Sequence, residues 1–375
     1  HKEWIETAGS GADSFLVRDR VRHISNMEDV YEVNFEKFLA GNIDANECEK
    51  VFDSLRKTGI LLIRDPRVAF DLNDNFLDLM EKYFSQPPEE LAKDIRKELA
   101  YQVGATPENT EIPKCIAAKN CEELNEQLTD ENKFHLPKGP DAKWRFFWKL
   151  GGYDDDIHYG KLNAPPVIPA AFPGWESTMN SWGYCMLNAC ETVAEMLAIG
   201  AGLERDAFTS KMKNAPHLLA PTGTDLLKYS SDGTIFAGYH YDLNFLTIHG
   251  KSRYPGLYAW LHNGTKFAVK VPDGCLLMQA GKQVEYLTGG TIRAGFHEVV
   301  SNEGTHNAME KNKAMGRPLW RVSSTVFSHI NSNVQMEPLG KYKTESSQKE
   351  YPTISCGKLV ENELSMINLF PDDEA

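Results

Sequence analysis

Long apolar runs are missing from this sequence. No segment approaches the roughly 18 to 20 uninterrupted apolar residues that a membrane-spanning helix needs. The first residues, HKEWIETAGSGADS, also lack the basic segment followed by an apolar run that marks a secretory signal. We therefore expect no membrane partner and a cytoplasmic location.

Positive charge is also scarce. The chain has 40 Lys and Arg against 53 Asp and Glu, which gives a formal net charge of -13 over 375 residues. This acidic balance is spread along the chain, so it argues against a protein that recruits polyanions through a basic surface. Nucleic acid is not an expected partner. The hydrophobic content of 41% is enough for a buried core, which excludes a disordered chain.

The cysteines form no closely paired framework. There are seven, an odd number for a disulfide scaffold, and in a large chain they suit a reducing compartment better. Neither Cys115 with Cys121 nor Cys185 with Cys190 has the two-residue gap of a zinc knuckle, so we expect no structural zinc.

Helical periodicity dominates the first part of the chain. The segments CEKVFDSLRKTG and FDLNDNFLDLMEKYFSQPPEELAKDIRKEL carry apolar residues at helical spacing, and ILLIRDP between them predicts a short buried strand. Residues 115–141 are polar and predict surface loop with some helix. The segment MNSWGYCMLNACETVAEMLAIGAG predicts a long helix that ends near Gly200.

From there to Ile330 the pattern changes to short β-rich runs, among them TDLLKYSS, YHYDLNFLTIH, VEYLTGG and WRVSSTVFSHI. Six to eight strands without intervening helices favour an antiparallel sandwich or jelly roll over a βαβ fold. No repeat or strong linker is visible. We therefore expect one domain over residues 1–375, with a mostly helical module (1–135), a helix plus β core (136–335) and a weakly patterned tail (336–375).

The segment AGYHYDLNFLTIHG contains a candidate metal site. His240 and Asp242 are two residues apart, so in an extended strand their side chains share one face. Two imidazoles and one carboxylate, with open positions opposite, form the donor set of non-haem Fe(II) oxygenases. The later histidines that could complete the set are His249, His262, His297, His306 and His329. His297 is the best placed, in the strand-like segment AGFHEVVSN.

The segment LWRVSSTVF places Arg321 and Ser323 at the same two-residue spacing. A guanidinium fork together with a hydroxyl forms a carboxylate receptor, because two parallel charge-assisted bonds fix both position and orientation. The pair follows the candidate metal ligands in the same β region.

These segments together resemble the Fe(II)/2-oxoglutarate-dependent oxygenases of the isopenicillin N synthase-like family, and they look most like its deacetoxycephalosporin C synthase branch. The resemblance implies a double-stranded β-helix (jelly roll) core, mainly β with flanking helices, preceded by a helical amino-terminal module. It also implies that His240, Asp242 and His297 bind Fe(II). Arg321 and Ser323 would hold the distal carboxylate of 2-oxoglutarate, with Tyr229 as a further contact. O2 is the implied oxidant, and ascorbate is a candidate reductant.

Three features depart from the pattern of this family. Leu227 stands where many members have Asn, and Gly281-Lys282 stands where a Gly-Asp pair is common. The polar segment NEGTHNAMEKNKAMGRP, within residues 302–318, is predicted to be an extra loop. These changes affect the expected co-substrate contacts more than the metal ligands.

The substrate is expected to be a small amino-acid-derived or peptide-derived metabolite. Hydroxylation, desaturation and oxidative cyclisation or ring expansion all remain open. Tyr239, Asn244 and Arg145 are candidate pocket residues. Arg145 lies in KWRFFWKLGG, where Lys143 and Lys149 would also suit a substrate carboxylate. The alternative is that this segment is a buried aromatic strand whose basic residues are solvated at its ends. Two other functions stay open: an oxidase that uses the iron without 2-oxoglutarate, and a non-catalytic binding protein on the same fold.

Overall fold

The structure, a computed structural model, describes residues 30–155, 158–367 and 369. The α-helices are α1 (Glu36–Leu39), α2 (Ala45–Thr58), α3 (Phe70–Phe84), α4 (Pro88–Leu91), α5 (Lys114–Ala118), α6 (Cys121–Glu126), α7 (Trp175–Gly200), α8 (Thr209–Met212), α9 (Lys282–Leu287), α10 (Glu303–Ala314), α11 (Glu345–Glu350) and α12 (Cys356–Ser365). Short 3-10 turns cover Ala92–Asp94, Lys97–Leu99, Asp130–Asn132 and Gly340–Tyr342.

The strands are β1 (Glu32–Asn34), β2 (Ile60–Arg64), β3 (Gly104–Thr106), β4 (Trp144–Leu150), β5 (His217–Leu219), β6 (Thr222–Asp225), β7 (Ile235–Tyr241), β8 (Leu246–His249), β9 (Leu257–Trp260), β10 (Lys266–Ala268), β11 (Leu276–Ala280), β12 (Phe296–Val300), β13 (Trp320–Val322), β14 (Thr325–Ser328), β15 (Gln335–Met336) and β16 (Ile354–Ser355).

Two sheets build the core. The larger has the order β1-β2-β11-β8-β14-β5-β4-β6-β13, with β3 added to β4, and the smaller has the order β10-β9-β12-β7. Neighbouring strands run antiparallel except β1 and β2, which are parallel. This is the mainly β jelly-roll architecture that the sequence predicted, preceded by the helices of the amino-terminal region.

Helix α2 shows how local sequence specifies these helices. Asp44 caps its start by accepting a hydrogen bond from the backbone N–H of Asn46 at 2.9 Å. Gly59 follows its last turn with a φ of +73°, a left-handed conformation that favours glycine. The side chains of Cys48 and Leu55 are fully buried on the face that packs toward α7.

The long helix α7 supports the outer face of the larger sheet, and it ends at Gly200 as predicted. Alternation along β4 directs Phe146, Trp148 and Leu150 toward the helical layer. A Cβ atom on Gly183 of α7 would lie 2.8 Å from the Leu150 side chain, so glycine permits the close approach of helix and sheet. Arg145 and Phe147 consequently face the interior of the jelly roll.

Two segments between strands differ from the prediction. The run VEYLTGG was predicted as a strand, but its first four residues belong to helix α9 and the rest form a turn. A short apolar run does not by itself distinguish a buried strand from a buried helix. The segment predicted as an extra polar loop contains helix α10. Asn302 and Thr305 begin it with a reciprocal capping box, a signal that the sequence did carry.

A disulfide joins Cys115 and Cys121, whose Cα atoms are 4.7 Å apart. The preference for unpaired cysteines was therefore wrong for this pair. The chain reverses after α5, where Lys119 has a φ of +57°, and this turn brings the two sulfurs together across a short loop. The remaining cysteines are free. The cytoplasmic location stays a prediction.

The tail is more structured than its weak pattern indicated. Helix α12 buries Leu359, Val360 and Leu364 in the same hydrophobic cluster as α7. Among the helices that the structure describes, none combines the length and the apolar content needed to cross a membrane.

Candidate metal and co-substrate site

His240, Asp242 and His297 lie together at the ends of two paired strands. His297 of β12 pairs directly with His240 of β7, and Asp242 follows β7 at once. Oδ1 of Asp242 lies 3.6 Å from Nε2 of His240 and 3.8 Å from Nε2 of His297, and one ligand atom from each residue lies within 4.8 Å of the others. Metal-ligand bonds of about 2 Å could join all three to one ion. The arrangement can hold one face of a metal ion and leave the opposite positions open.

Hydrogen bonds orient two of these side chains. Nδ1 of His240 donates to the Gly238 carbonyl at 2.6 Å, which leaves the lone pair on Nε2. The Thr247 hydroxyl donates to Oδ2 of Asp242 at 2.7 Å, which turns Oδ1 toward the imidazoles. Such outer partners fix the ring and carboxylate orientations that metal binding requires.

The charge states also suit a divalent cation. Burial favours the neutral acid, but His297, His240 and the Thr247 bond hold the pKa of Asp242 well below its usual range. Burial and then the neighbouring His240 lower the pKa of His297 to about 3. For His240, burial opposes protonation, and the bond with Asp242 raises the pKa. An ionised carboxylate beside a neutral imidazole is the form that binds metal.

Arg321 is a buried cation in the interior. Its residue surface is 6% exposed, its Nε donates to the Pro255 carbonyl at 3.3 Å, and its guanidinium lies 5.7 Å from the centre of the Phe236 ring. Within the part of the chain that the structure describes, no carboxylate forms an ion pair with it. Burial lowers its pKa to about 10, so it remains charged at neutral pH. A buried unpaired guanidinium is costly, and a bound carboxylate would compensate it.

Ser323 and Tyr229, the other two predicted co-substrate contacts, lie outside the strands, unlike Arg321. Strand β13 ends at Val322, and the Ser323 oxygen accepts bonds from the backbone N–H and hydroxyl of Thr222 at 2.8 and 2.9 Å, so its own proton is free to donate. Tyr229 lies in a bend after β6 rather than on a strand, and its hydroxyl accepts a bond from Asn109 at 3.2 Å.

The described contacts of Tyr229 reach neither Arg321 nor the three metal-site residues. Its ring packs near Phe236, the ring beside Arg321. Leu227, the departure from the family pattern, is 79% exposed on the preceding turn. The substitution of Asn by Leu therefore falls outside the interior.

His249 contributes to the site in a way that the sequence did not reveal. A regular strand would have turned it away from His240, but the chain bends over residues 243–245 between β7 and β8. Its ring centre lies 6.3 Å from that of His297, and its two nitrogens bond with Gln279 at 2.9 Å and Thr325 at 3.1 Å. The charges of both Asp242 and Arg321 act on it, so it lies near both.

Two predicted substrate residues point elsewhere. Tyr239 is next to a ligand on β7 and therefore faces the opposite side of the sheet, where its ring stacks on Phe134 at 4.3 Å and on Phe296 at 4.7 Å. Asn244 is 1% exposed; its amide donates to the Ser328 carbonyl, and its oxygen lies 3.1 Å from the Thr247 hydroxyl. Tyr239 thus supports the metal strands from behind, and Asn244 supports the Asp242 loop.

Arg145, the third candidate, does face the interior. Its Nη1 donates to Glu111 at 3.0 Å, and Lys143 bridges Glu111 at 3.1 Å and Asp141 at 2.6 Å. The charges of Glu111 and Lys143 both act on His240, so this row of four charged side chains flanks the metal site. Glu111 was not visible as a candidate because it lies in a polar segment far from the β motifs.

A second charged contact joins the tail to the strand that carries the metal-site residues. Lys114 of α5 pairs with Glu363 of α12, and Tyr241, which lies between His240 and Asp242 in sequence, also donates to Glu363. The Lys114 ammonium lies 3.8 Å from the centre of the Tyr241 ring. Helix α12 therefore contacts the metal-bearing strand directly.

Gly281-Lys282 departs from the family pattern, but its backbone still holds the loop that carries Asp242. The backbone N–H of Lys282 donates to the Asp242 carbonyl at 2.8 Å. A Cβ atom on Gly281 would lie 2.1 Å from the Asn244 carbonyl oxygen, so only glycine fits there. The Lys282 side chain turns to Glu285 at 2.6 Å.

Residues 224–330 match the model of the 2OG-Fe(II) oxygenase superfamily, and this range contains the three metal-site residues and Arg321. Two curated plant proteins are similar in sequence. The kihadalactone A synthase LFS of Citrus sinensis is 22% identical over 352 residues, covering 89% of this chain and 92% of that protein. The azadirone synthase LFS of Melia azedarach is 22% identical over 226 residues, covering 57% and 61%.

Solved structures share the fold. A 2OG-Fe(II) oxygenase family protein from Caulobacter crescentus has a TM-score of 0.70 at 19% identity, covering 90% of this chain and 98% of that one. The full-length Neurospora crassa T7H in complex with alpha-KG has a TM-score of 0.67 at 18% identity, covering 89% and 95%. These relatives do not confirm the finer likeness to the deacetoxycephalosporin C synthase branch.

Proposed function

We propose that this chain, an enzyme of the 2OG-Fe(II) oxygenase superfamily, couples the oxidative decarboxylation of 2-oxoglutarate to the oxidation of a small organic metabolite. In the simplest outcome, 2-oxoglutarate, O2 and a substrate C–H bond give succinate, CO2 and an alcohol. Desaturation and oxidative cyclisation use the same oxidant. The iron supplies the redox chemistry, and the protein supplies ligands, orientation and a shielded pocket.

The proposal assigns a role to each central side chain. His240, Asp242 and His297 hold Fe(II), because their nitrogens and one carboxylate oxygen converge within 4.8 Å. Arg321 pairs with the distal carboxylate of 2-oxoglutarate, and Ser323 donates its free proton to the same group. His249 lies beside His297, and its bonds with Gln279 and Thr325 hold it where it can contact the co-substrate.

One observation carries the co-substrate assignment. Arg321 is buried, charged and without a carboxylate partner among the described residues, in the same interior as the three metal-site residues. A dicarboxylate with one end on the metal and the other on Arg321 would satisfy both. For the substrate we retain a small amino-acid-derived or peptide-derived metabolite as the proposed class.

The alternative with a structural basis is an oxidase of the isopenicillin N synthase type, in which Arg321 and Ser323 hold a carboxylate of the substrate itself. Oxygen uptake by the Fe(II)-loaded enzyme, measured over a panel of candidate metabolites with and without 2-oxoglutarate, separates the two. We expect uptake only with 2-oxoglutarate, together with succinate. Uptake without it would establish the oxidase, and failure to bind Fe(II) would establish a non-catalytic protein.

A further inference from the structure

The row Asp141, Lys143, Glu111 and Arg145 is a built surface beside the proposed iron. Asp141 accepts from the backbone N–H of Gly238 at 2.9 Å, and the carbonyl of Gly238 orients His240. The row is thus anchored to the strand that carries the metal ligands. Its opposite end is fixed by the Arg145 guanidinium, which lies 3.9 Å from the centre of the Phe147 ring.

The charges within the row are balanced. Two carboxylates alternate with two cations, and each neighbouring pair is within 3.1 Å. Lys143 and Arg145 are therefore already paired, and they do not provide the uncompensated positive charge that attracts an anion. This corrects the expectation that these basic side chains suit a substrate carboxylate. Arg321, by contrast, is buried without an ion pair among the residues that the structure describes.

The geometry of Arg145 supports this reading. Arg56, Arg67 and Arg205 each place Nε and Nη2 together against one carboxylate, and Arg67 engages both of its oxygens in a side-on fork. Arg145 instead directs Nη1 to Glu111, while its Nε is enclosed without a partner and its Nη2 lies 3.4 Å from the Thr106 hydroxyl. The edge that would receive a substrate carboxylate is therefore not open.

Glu111 is the most accessible member of the row. Its side chain is 19% exposed, against 7 to 9% for Asp141, Lys143 and Arg145, and the neighbouring His240 side chain is 28% exposed. A molecule that enters beside His240 consequently meets a carboxylate. The two oxygens of Glu111 each accept one bond from the row and have a lone pair left for another donor.

We propose that Glu111 is a specificity-determining residue, and that it accepts a hydrogen bond from an uncharged donor of the substrate, an amide N–H or a hydroxyl. This inference rests on the proposed function, since it places the substrate on the open side of the iron. A substrate carboxylate there would be repelled by Glu111. An ammonium group would add charge to a row that is already neutral and would be repelled by the iron. An apolar group would remove water from Glu111 and would offer no hydrogen bond in place of the bonds that Glu111 makes to water.

Four probes of one size test the proposal: benzamide, benzoate, benzylammonium and toluene. Each is added to the protein loaded with 2-oxoglutarate and Mn(II), which stands in for Fe(II) and does not react with oxygen. The paramagnetic relaxation of the probe ring protons reports binding beside the metal. Relaxation of the 2-oxoglutarate protons, recorded in the same samples, reports the co-substrate site independently.

We expect benzamide to bind about tenfold more tightly than the other three probes. This is the difference in affinity expected when Glu111 accepts one hydrogen bond from the probe rather than being left unpaired. Glu111→Gln keeps an acceptor but changes the row from neutral to a net charge of +1. Benzamide should therefore still bind, and the affinity for benzoate should rise about tenfold. Glu111→Ala should abolish the preference. Glu108→Gln, a change of an outer carboxylate in the same segment, should leave all four affinities as they were.

The two proposals fail in different ways. Benzoate or toluene binding best to the wild type, no probe binding, or unchanged preferences in Glu111→Gln would overturn the role of Glu111 while the 2-oxoglutarate signal persists. Absence of the 2-oxoglutarate signal would overturn the proposed function itself. If Glu111→Ala does not fold, the gain of benzoate binding in Glu111→Gln decides the matter alone.

Discussion

The hydroxyl of Thr247 donates a hydrogen bond to Oδ2 of Asp242 at 2.7 Å, and both side chains are buried. The bond directs the other oxygen of Asp242 toward the two imidazoles. Thr247→Val keeps the branched shape and removes the donor, so the carboxylate loses its fixed orientation. We expect the affinity for Fe(II), measured by anaerobic titration, to fall about tenfold or more.

The exposed Thr353 bonds with Glu337 far from the metal strands and provides the matched control. Thr353→Val should bind Fe(II) as the wild type does. An unchanged affinity in Thr247→Val would show that Asp242 is held by other contacts.

Arg321→Met should separate stability from co-substrate binding. Without 2-oxoglutarate the variant should unfold at a temperature no lower than the wild type, because a buried unpaired charge has been removed. The free energy of unfolding of the wild type should rise by about 2.7 kcal/mol when 2-oxoglutarate is at 100 times its dissociation constant, and that of the variant should not rise at the same concentration. Thermal unfolding of the Fe(II)-loaded proteins measures both effects.

Arg293→Met, at an exposed position, should keep the full stabilisation by 2-oxoglutarate. A wild-type response in Arg321→Met would mean that the distal carboxylate is bound elsewhere.

The buried pair of Lys114 and Glu363 predicts a stability effect that depends on which partner is removed. Glu363→Leu leaves the Lys114 ammonium buried and unpaired, so the free energy of unfolding should fall by about 3 kcal/mol. The double variant Lys114→Met/Glu363→Leu removes both charges and should recover most of that loss. Urea denaturation checks the cycle.

The exposed pair of Lys358 and Glu361 on the same helix is the control, and Glu361→Leu should change stability by less than about 0.5 kcal/mol. Equal losses in the single and double variants at the buried pair would indicate that packing of α12, rather than the charge pair, stabilises this contact.

The disulfide between Cys115 and Cys121 predicts a redox-dependent difference. The double variant Cys115→Ser/Cys121→Ser should lose about 2 kcal/mol in oxidising buffer, because the unfolded chain gains entropy when a short loop is opened. In reducing buffer the variant and the wild type should unfold at similar urea concentrations. Cys185→Ser changes a free thiol and keeps the bridge, so its stability should depend on reductant as that of the wild type does. A difference that persists under reduction would argue against the bridge.

Much of this architecture could be predicted because its signals are local. The alternation in β7 and the cap and Gly59 stop of α2 specify their elements within a few residues. A regular strand would have turned His249 away from the interior, and the bend between β7 and β8 that brings it inward was not visible in the sequence. Tyr239 was counted as a pocket residue, although its place next to His240 on one strand directs it to the opposite face.

The remaining parts of the site depend on contacts between distant segments. Glu111, Lys114 and Glu363 come to the metal strands from a polar segment and from the tail, and neither segment has a pattern that indicates this. The neutralisation of Arg145 by Glu111 across 34 residues likewise requires the folded chain, because sequence alone shows only a basic residue among aromatics.

Succinate formed from 2-oxoglutarate is the measurement that tests the central claim most directly, the binding of a catalytic Fe(II) by His240, Asp242 and His297. The wild type should form succinate only when Fe(II), O2 and 2-oxoglutarate are all present. His240→Ala and Asp242→Ala should form none above the iron-free blank, because each removes one of three protein ligands. Succinate formation at the wild-type rate by either variant would contradict the assignment of the metal site.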